Sequence, residues 1–169
     1  MSLDISIIKP QTEHTETIAA ICAAGWRQTV EGILSKEYQA KNIDFWYNLE
    51  RVRHDIQKGA YTHAALIDSK FAGVIGGGMT GSNTAEIFMF YVDETYRYKG
   101  VGTRLLEALT QDHMNNGAVA QWVSVQEGNQ RGIPFYESRG FVYQERSVSP
   151  TDTSEEQVSL RYKRSLPET

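Results

Sequence analysis

Apolar residues at Ile5, Ile7 and Ile8 open the chain as a short strand, and Lys9-Pro10 ends it because proline has no amide proton for a ladder. Thr12, followed by Glu13 and Glu16, marks a helix N-terminus. Ile18, Ile21 and Cys22 recur behind it at helical spacing, and Gly25 is expected to break the run. Ser35 is a second candidate cap. Tyr38, Phe45, Trp46, Leu49 and Val52, with charges between them, predict an amphipathic helix that Gly59 stops.

The period then changes. Tyr61 to Ile67 reads as a strand, Asp68-Ser69-Lys70 as a hairpin turn and Phe71 to Met79 as the return strand. The Gly76-Gly77-Gly78 run in that strand weakens pairing and points to a bulge or a close backbone approach. Gly81-Ser82-Asn83 is the next turn. Ala85 to Val92 follows, apolar on both faces as a central strand is, and period-two alternation puts Glu86, Phe88, Phe90 and Val92 on one of them. Leu105, Leu106, Ala108 and Leu109 predict a helix ended by Asn116-Gly117. Val119 to Val125 is a strand, and Gly132 to Ser138 a short helix closing at Gly140. Phe141 to Tyr143 opens another strand, Ser147 to Ser154 reads as a polar loop, and Val158 to Tyr162 closes the sheet. The expected fold class is α+β: one mixed, mostly antiparallel sheet with helices on its faces.

Composition narrows the function. At 169 residues and 19.1 kDa the chain fits a single domain spanning 1–169. A net charge of -4 argues against general nucleic-acid binding, which needs a basic face. The single cysteine, Cys22, excludes an internal disulfide and a Cys-rich zinc site, and is expected as a small buried apolar residue. His14, His54, His63 and His113 lack metal-ligand spacing, and His113 is expected on the solvated face of its helix. No apolar run approaches a membrane span and no secretory signal is visible, so a cytoplasmic protein is expected.

The most informative feature is a strand, then Arg97-x-x-Gly100-x-Gly102, then a helix. Glycines let the backbone approach a ligand, and unpaired amides in the first helical turn suit a phosphate. Arg97 and Lys99 add positive charge. On the glycine pair alone, an ordinary strand-to-helix turn is an equally good reading. A dinucleotide fold is disfavoured, because Leu105 stands where the third glycine belongs and the preceding strands form a meander. A P-loop is disfavoured by Gly102-Thr103-Arg104.

Arg97-Tyr98-Lys99-Gly100-Val101-Gly102 resembles the Arg/Gln-x-x-Gly-x-Gly/Ala loop of the GCN5-related N-acetyltransferase (GNAT) superfamily. Asn129, Phe135-Tyr136-Glu137 and Gly140-Phe141 match that family's second signature at the usual separation. The resemblance follows the element order of the whole chain, with its specific motifs between Glu86 and Phe141. It implies an acyl-CoA N-acyltransferase fold with splayed central strands, acetyl-CoA as cosubstrate, no metal, and a primary amine of a small molecule or peptide as acceptor. Dimers are frequent in the family, so a homodimer is implied; a nucleic-acid or membrane partner is not.

Carried over by position, Arg97, Tyr98, Lys99, Gly100, Val101, Gly102 and Thr103 would hold the pyrophosphate. Phe90, Tyr91 and Val92 would meet the pantetheine arm, with Asn129 as its hydrogen-bonding partner. Tyr136 would be general acid to the thiolate. Glu86 resembles the base glutamate of the histone-acetyltransferase branch. The ribosomal N-terminal acetyltransferase branch has its glutamate where this chain has Ser124. Trp26, Arg27, Tyr38 and Trp46 would fall in the region that walls the acceptor pocket. Each has a plainer reading: Tyr136 as core aromatic, Asn129 as cap, Glu86 as a solvent-facing strand-end residue, the N-terminal aromatics as core. Two other functions fit the loop, a non-catalytic acyl-CoA sensor or subunit and an acyltransferase with a larger acyl group or a hydroxyl acceptor.

Overall fold

The computed structural model describes residues 4–151 and 155–167. The elements are β1 (Ile5–Ile8), α1 (Thr15–Val30) after a 3₁₀ turn at Thr12–His14, α2 (Lys36–Trp46), α3 (Leu49–Lys58), β2 (His63–Ile67), β3 (Lys70–Met79) and β4 (Thr84–Val92). After a second 3₁₀ turn at Glu94–Tyr96 come α4 (Val101–Asn115), β5 (Ala120–Gln126), α5 (Gly132–Glu137), β6 (Val142–Pro150) and β7 (Glu156–Ser165). The strands form one seven-stranded sheet in the order β1-β2-β3-β4-β5-β7-β6. Among the described residues, only β4 and β5 run parallel. This is the expected α+β class.

Three local expectations need correction. Gly25 does not end α1; it lies inside the helix, where a Cβ would stand 2.4 Å from Cδ1 of Tyr91. The glycine is there to admit the Tyr91 ring, at a helix cost of about 1 kcal/mol relative to alanine. The second helix is two. Ser35 caps α2 by accepting from the Tyr38 N–H at 3.1 Å, but Asn48 starts α3 by accepting from the Arg51 N–H at 2.7 Å. Gly59, at φ +88°, ends α3 as expected. Finally, Ser147 to Pro150 belong to β6 rather than to a loop; residues 152–154 lie outside the described residues. β6 is an edge strand exposed along its whole length, so neither face needs apolar residues. Glu145, Arg146, an irregular register between Tyr143 and Glu145, and Pro150 blunt that edge.

Two cores sandwich the sheet. One lies under α4 and α5 and contains Ile75, Ile87, Leu105, Leu109, Val123, Tyr136 and Tyr162. The other lies under α1 and α3 and contains Ile18, Cys22, Val52, Ile56, Tyr61 and Val74. Truncating a wholly buried side chain such as Leu105 to alanine is expected to cost about 2–5 kcal/mol. Burial pushes the Cys22 thiol up to about 12, so it is an inert core residue. Among the described residues, no helix is long and apolar enough to cross a membrane.

The glycine run does mark a bulge, and β4 carries the extra residue. Gly76 pairs with Met89 and Gly77 with Ile87, leaving Phe88 unpaired. A Cβ at Gly76 would stand 2.0 Å from the Ala60 carbonyl oxygen, and one at Gly77 2.3 Å from that of Glu86. The bulge reverses the facing of β4. Before it, Ala85 and Ile87 point to the α4 side; after it, Phe90 and Val92 do, while Met89 and Tyr91 pack toward α1. Glu86 therefore faces α1, opposite to Phe90 and Val92, and the single-face alternation does not hold.

His113 is buried rather than solvated, at 2% exposure. The Arg164 Nε–H donates to Gln121 Oε1 at 2.9 Å, which turns the Gln121 amide nitrogen toward His113 Nδ1 at 3.0 Å. Nδ1 must accept, so the ring proton sits on Nε2, which has no partner among the described residues. Burial, and secondarily the charge of His63, hold this imidazole below its usual range against the opposing pull of Asp112. The folded state thus binds fewer protons than the unfolded state, whose histidine titrates near about 6.5. Its contribution is present above that pH and is lost as pH falls through it toward the lower folded value. Thermal melts from about pH 8 to about pH 5 are expected to show a flatter acid slope for His113→Leu than for wild type. Identical slopes would assign the acid sensitivity to other groups.

Candidate active site

β4 and β5 pair only from Thr84–Ile87 with Ala120–Val123. Beyond that rung β4 follows β3 to Val92, and β5 follows β7 to Gln126. The central strands therefore splay into a wedge. The Asp93 N–H bonds the Ala72 carbonyl at 2.8 Å, so Tyr91 directs its backbone to β3 while Phe90 and Val92 direct theirs into the wedge. On the other side the Glu127 N–H bonds the Val158 carbonyl at 2.9 Å, which leaves Ser124 and Gln126 facing the gap. Both walls thus offer backbone donors and acceptors that no strand satisfies, a setting for an extended ligand with amide groups.

The glycine loop lies where the wedge is widest. Tyr98, at φ +63°, and Gly100, at φ +88°, turn the chain into α4. No side chain caps α4 and no acidic residue lies in its first turn, so its leading amides are available to an anion. Val101 is wholly buried and anchors the loop instead of facing a ligand, whereas Tyr98 is 92% exposed. A Cβ on Gly102 would meet Phe135 at 3.4 Å and Phe90 at 3.5 Å. The Arg97 guanidinium donates to the Gln28 side chain, whose amide donates to Glu94 at 2.9 Å. Burial and the nearby charge of Arg131 both push Arg97 down, so two guanidinium groups converge at this mouth. On the α1 side, a groove of about 650 Å³ is lined by Ala24, Gly25, Gln28, Val92, Glu94 and Arg97 among others.

α5 brings up the second motif. Asn129 Oδ1 accepts from the N–H of Gly132 at 2.8 Å and of Arg131 at 3.2 Å, so its oxygen is a local cap. Tyr136 is buried among Phe90, Phe135 and Phe141, with ring centroids 5.3 to 6.3 Å away. Burial alone pushes its phenol above the ordinary range; no hydrogen bond contributes. Arg139 ties the two motifs together. It donates to Thr103 Oγ1 at 2.8 Å and to the Phe135 carbonyl at 2.9 Å, and stacks 3.6 Å over the Phe135 ring.

The structure thus brings Phe90, Gly102, Thr103 and Tyr136 together, with Val92, Arg97, Gly100 and Asn129 around them. It does not bring the Tyr91 side chain, whose hydroxyl lies 3.3 Å from that of Tyr47 in the α1-side core. Glu86 lies at the root of the wedge on the α1 face. There Arg161 grips it with Nη1 to Oε2 at 2.8 Å and Nη2 to Oε1 at 3.0 Å. Trp26 is core, and Tyr38 donates to Gln157 at 2.6 Å. Arg27 is exposed, and Trp46, 43% exposed, lies under Arg51. Sequence reasoning missed Gln28, Arg131, Arg139 and Arg161. Arg139 had a signal, being inside the Phe-Tyr to Gly-Phe segment; the others depend on non-local topology. Among the described residues, no cluster of His, Cys, Asp or Glu is arranged to hold a metal.

A mixed sheet opened between parallel central strands, with a glycine turn feeding a helix at its mouth, defines the acyl-CoA N-acyltransferase fold. The chain belongs to the Acetyltransferase (GNAT) family, which matches residues 21–141. It is similar to the ribosomal protein bS18-alanine N-acetyltransferases of Salmonella typhimurium and Escherichia coli, 37% identical over 57 residues. That stretch is 34% of this chain and only 38% of those relatives' length. Its fold is similar to PaiA N-acetyltransferase from Thermoplasma acidophilum, solved in complex with coenzyme A. There the TM-score is 0.80 at 25% identity, covering 97% of this chain and 100% of that one. The ribosomal-protein-S18-alanine N-acetyltransferase of Escherichia coli aligns with a TM-score of 0.67 at 20% identity, covering 98% and 96%.

Proposed function

We propose that the chain, as a single N-acetyltransferase domain, transfers the acetyl group of acetyl-CoA to a primary amine by direct attack on the thioester. The observation that carries this reading is the wedge itself: unsatisfied backbone on both walls, a glycine loop at its mouth and the Tyr136 phenol on one side. The α4 amides, with Arg97, Lys99 and Arg131, hold the pyrophosphate. The backbone of Phe90 and Val92 pairs with the pantetheine amides, and the side-chain amide nitrogen of Asn129 adds a donor. The amine nitrogen bonds to the acyl carbon and the carbon–sulfur bond breaks. The Tyr136 hydroxyl donates a hydrogen bond to the departing sulfur, sharing its proton as the carbon–sulfur bond lengthens. The proton lost by the amine passes, through water, toward Glu86.

The acceptor is a small-molecule or peptide amine, and the ribosomal-protein relatives make a peptide with N-terminal alanine one member worth including. The same reading includes a homodimer in the cytoplasm, without nucleic-acid or membrane partners. The test is thiol release from acetyl-CoA across a panel of small amines and short peptides. Acceptor-dependent release is expected from at least one class. Tight CoA binding with no release from any acceptor would turn the reading into that of a sensor.

A further inference from the structure

We propose that Arg161 is a positioning residue for the acceptor: it holds the Glu86 carboxylate aimed across the root of the wedge, beside Ser124. This rests on the acetyltransferase reading.

The placement follows from the sheet order. Glu86 is opposite Trp122 and Trp122 opposite Lys163, while Ser124 is opposite Arg161. These side chains share the α1 face across β4, β5 and β7. The rung Ile87–Val123 is the last between β4 and β5, so Glu86 and Ser124 flank the vertex. Arg161 reaches over β5 to grip both carboxylate oxygens of Glu86, and the same Nη1 donates to Ser124 Oγ at 2.7 Å. The Ser124 oxygen is thus an acceptor from within the protein.

The two faces divide the chemistry. Tyr136 belongs to the α4-side core and serves the departing sulfur there, whereas Glu86, Ser124 and Arg161 lie on the α1 side. The amine therefore approaches from the α1 face. Glu86 and Arg161 are each a little over one-fifth exposed, enough desolvation for the pairing to matter. Arg161 from β7 is the charged group bonded to Glu86; Lys163 from β7 lies 5.3 Å over the ring of the neighbouring Trp122, and the charge of Glu145 from β6 acts on Arg161. The Glu86 carboxylate attracts the ammonium and, through water, takes up the proton that the amine loses.

The test is kcat/KM for an active acceptor, set beside the KM for acetyl-CoA, in wild type, Arg161→Met, Arg161→Lys, Glu86→Gln and the Arg161→Met/Glu86→Gln double variant. Arg161→Met is expected to lose about tenfold in kcat/KM for the acceptor, because the carboxylate is then no longer held toward the wedge. The KM for acetyl-CoA should stay within about twofold, since the pantetheine-facing backbone begins after the bulge. Arg161→Lys should recover part of the loss. The double variant should be no worse than Glu86→Gln alone, as expected for residues acting as one unit. A loss matched by a parallel rise in the acetyl-CoA KM would make Arg161 a strut of the sheet and overturn the proposal. So would a wild-type kcat/KM for the acceptor in Arg161→Met. If wild type releases no thiol with any acceptor, the acetyltransferase reading fails first and takes this proposal with it.

Discussion

Gly102→Asp is expected to raise the dissociation constant for CoA by about a hundredfold or more while the protein stays folded. Gly102 is the second residue of α4, and the position its Cβ would occupy faces Phe135 and Phe90 at the mouth of the wedge. A carboxylate there meets the pyrophosphate. Two like charges about 5 Å apart at an effective dielectric of about 20 repel by about 3 kcal/mol, which is about a hundredfold in affinity. The fold should tolerate the change, because an acidic residue in the first helical turn is favourable by about 0.3–1 kcal/mol. Gly102→Ala separates charge from size. Its methyl group meets the two rings at 3.4 to 3.6 Å, close to ordinary contact, so a much smaller loss is expected. Calorimetric titration with CoA, beside a thermal melt of each variant, checks this. Wild-type affinity in a folded Gly102→Asp protein would place the phosphate elsewhere.

What could be read from the residues was local. The glycine loop, the Asn129 and Phe135-Tyr136 spacing and the β2–β3 hairpin each lie within a short segment, so spacing alone fixes their shape. The bulge was visible in Gly76-Gly77-Gly78, but not which strand would carry the extra residue. β4 does, and that one residue moves Glu86 to the other face. Gly25 looked like a helix end because the ring that needs its missing side chain, Tyr91, is three strands later in the chain. β6 looked like a loop because an exposed edge has no apolar face to declare. Arg161 could not be assigned at all. Only the order β4-β5-β7-β6 puts the last strand inside the sheet, within reach of Glu86.

Tyr136→Phe is expected to lower kcat by about 10²-fold and to leave the acetyl-CoA dissociation constant nearly unchanged. The substitution deletes one oxygen. The ring keeps its contacts with Phe90, Phe135 and Phe141, and the phenol's pKa reflects no protein hydrogen bond, so little stability should be lost. The phenol's titration is informative in its own right. Burial pushes it above the ordinary range near about 10, so it remains protonated throughout the neutral and mildly basic region. The wild-type rate should therefore show no fall attributable to Tyr136 below about pH 10. A thiol titrates near about 8.5, so the phenol's proton is not released outright to the sulfur but shared as the carbon–sulfur bond lengthens. That is an interaction made mainly in the transition state, and its loss belongs in kcat rather than in binding. Single-turnover rates with saturating acceptor, beside titrations with CoA, separate the two. Full turnover in Tyr136→Phe would mean that solvent protonates the thiolate and that the tyrosine is a core aromatic; equal losses in rate and CoA affinity would make it part of the pantetheine wall.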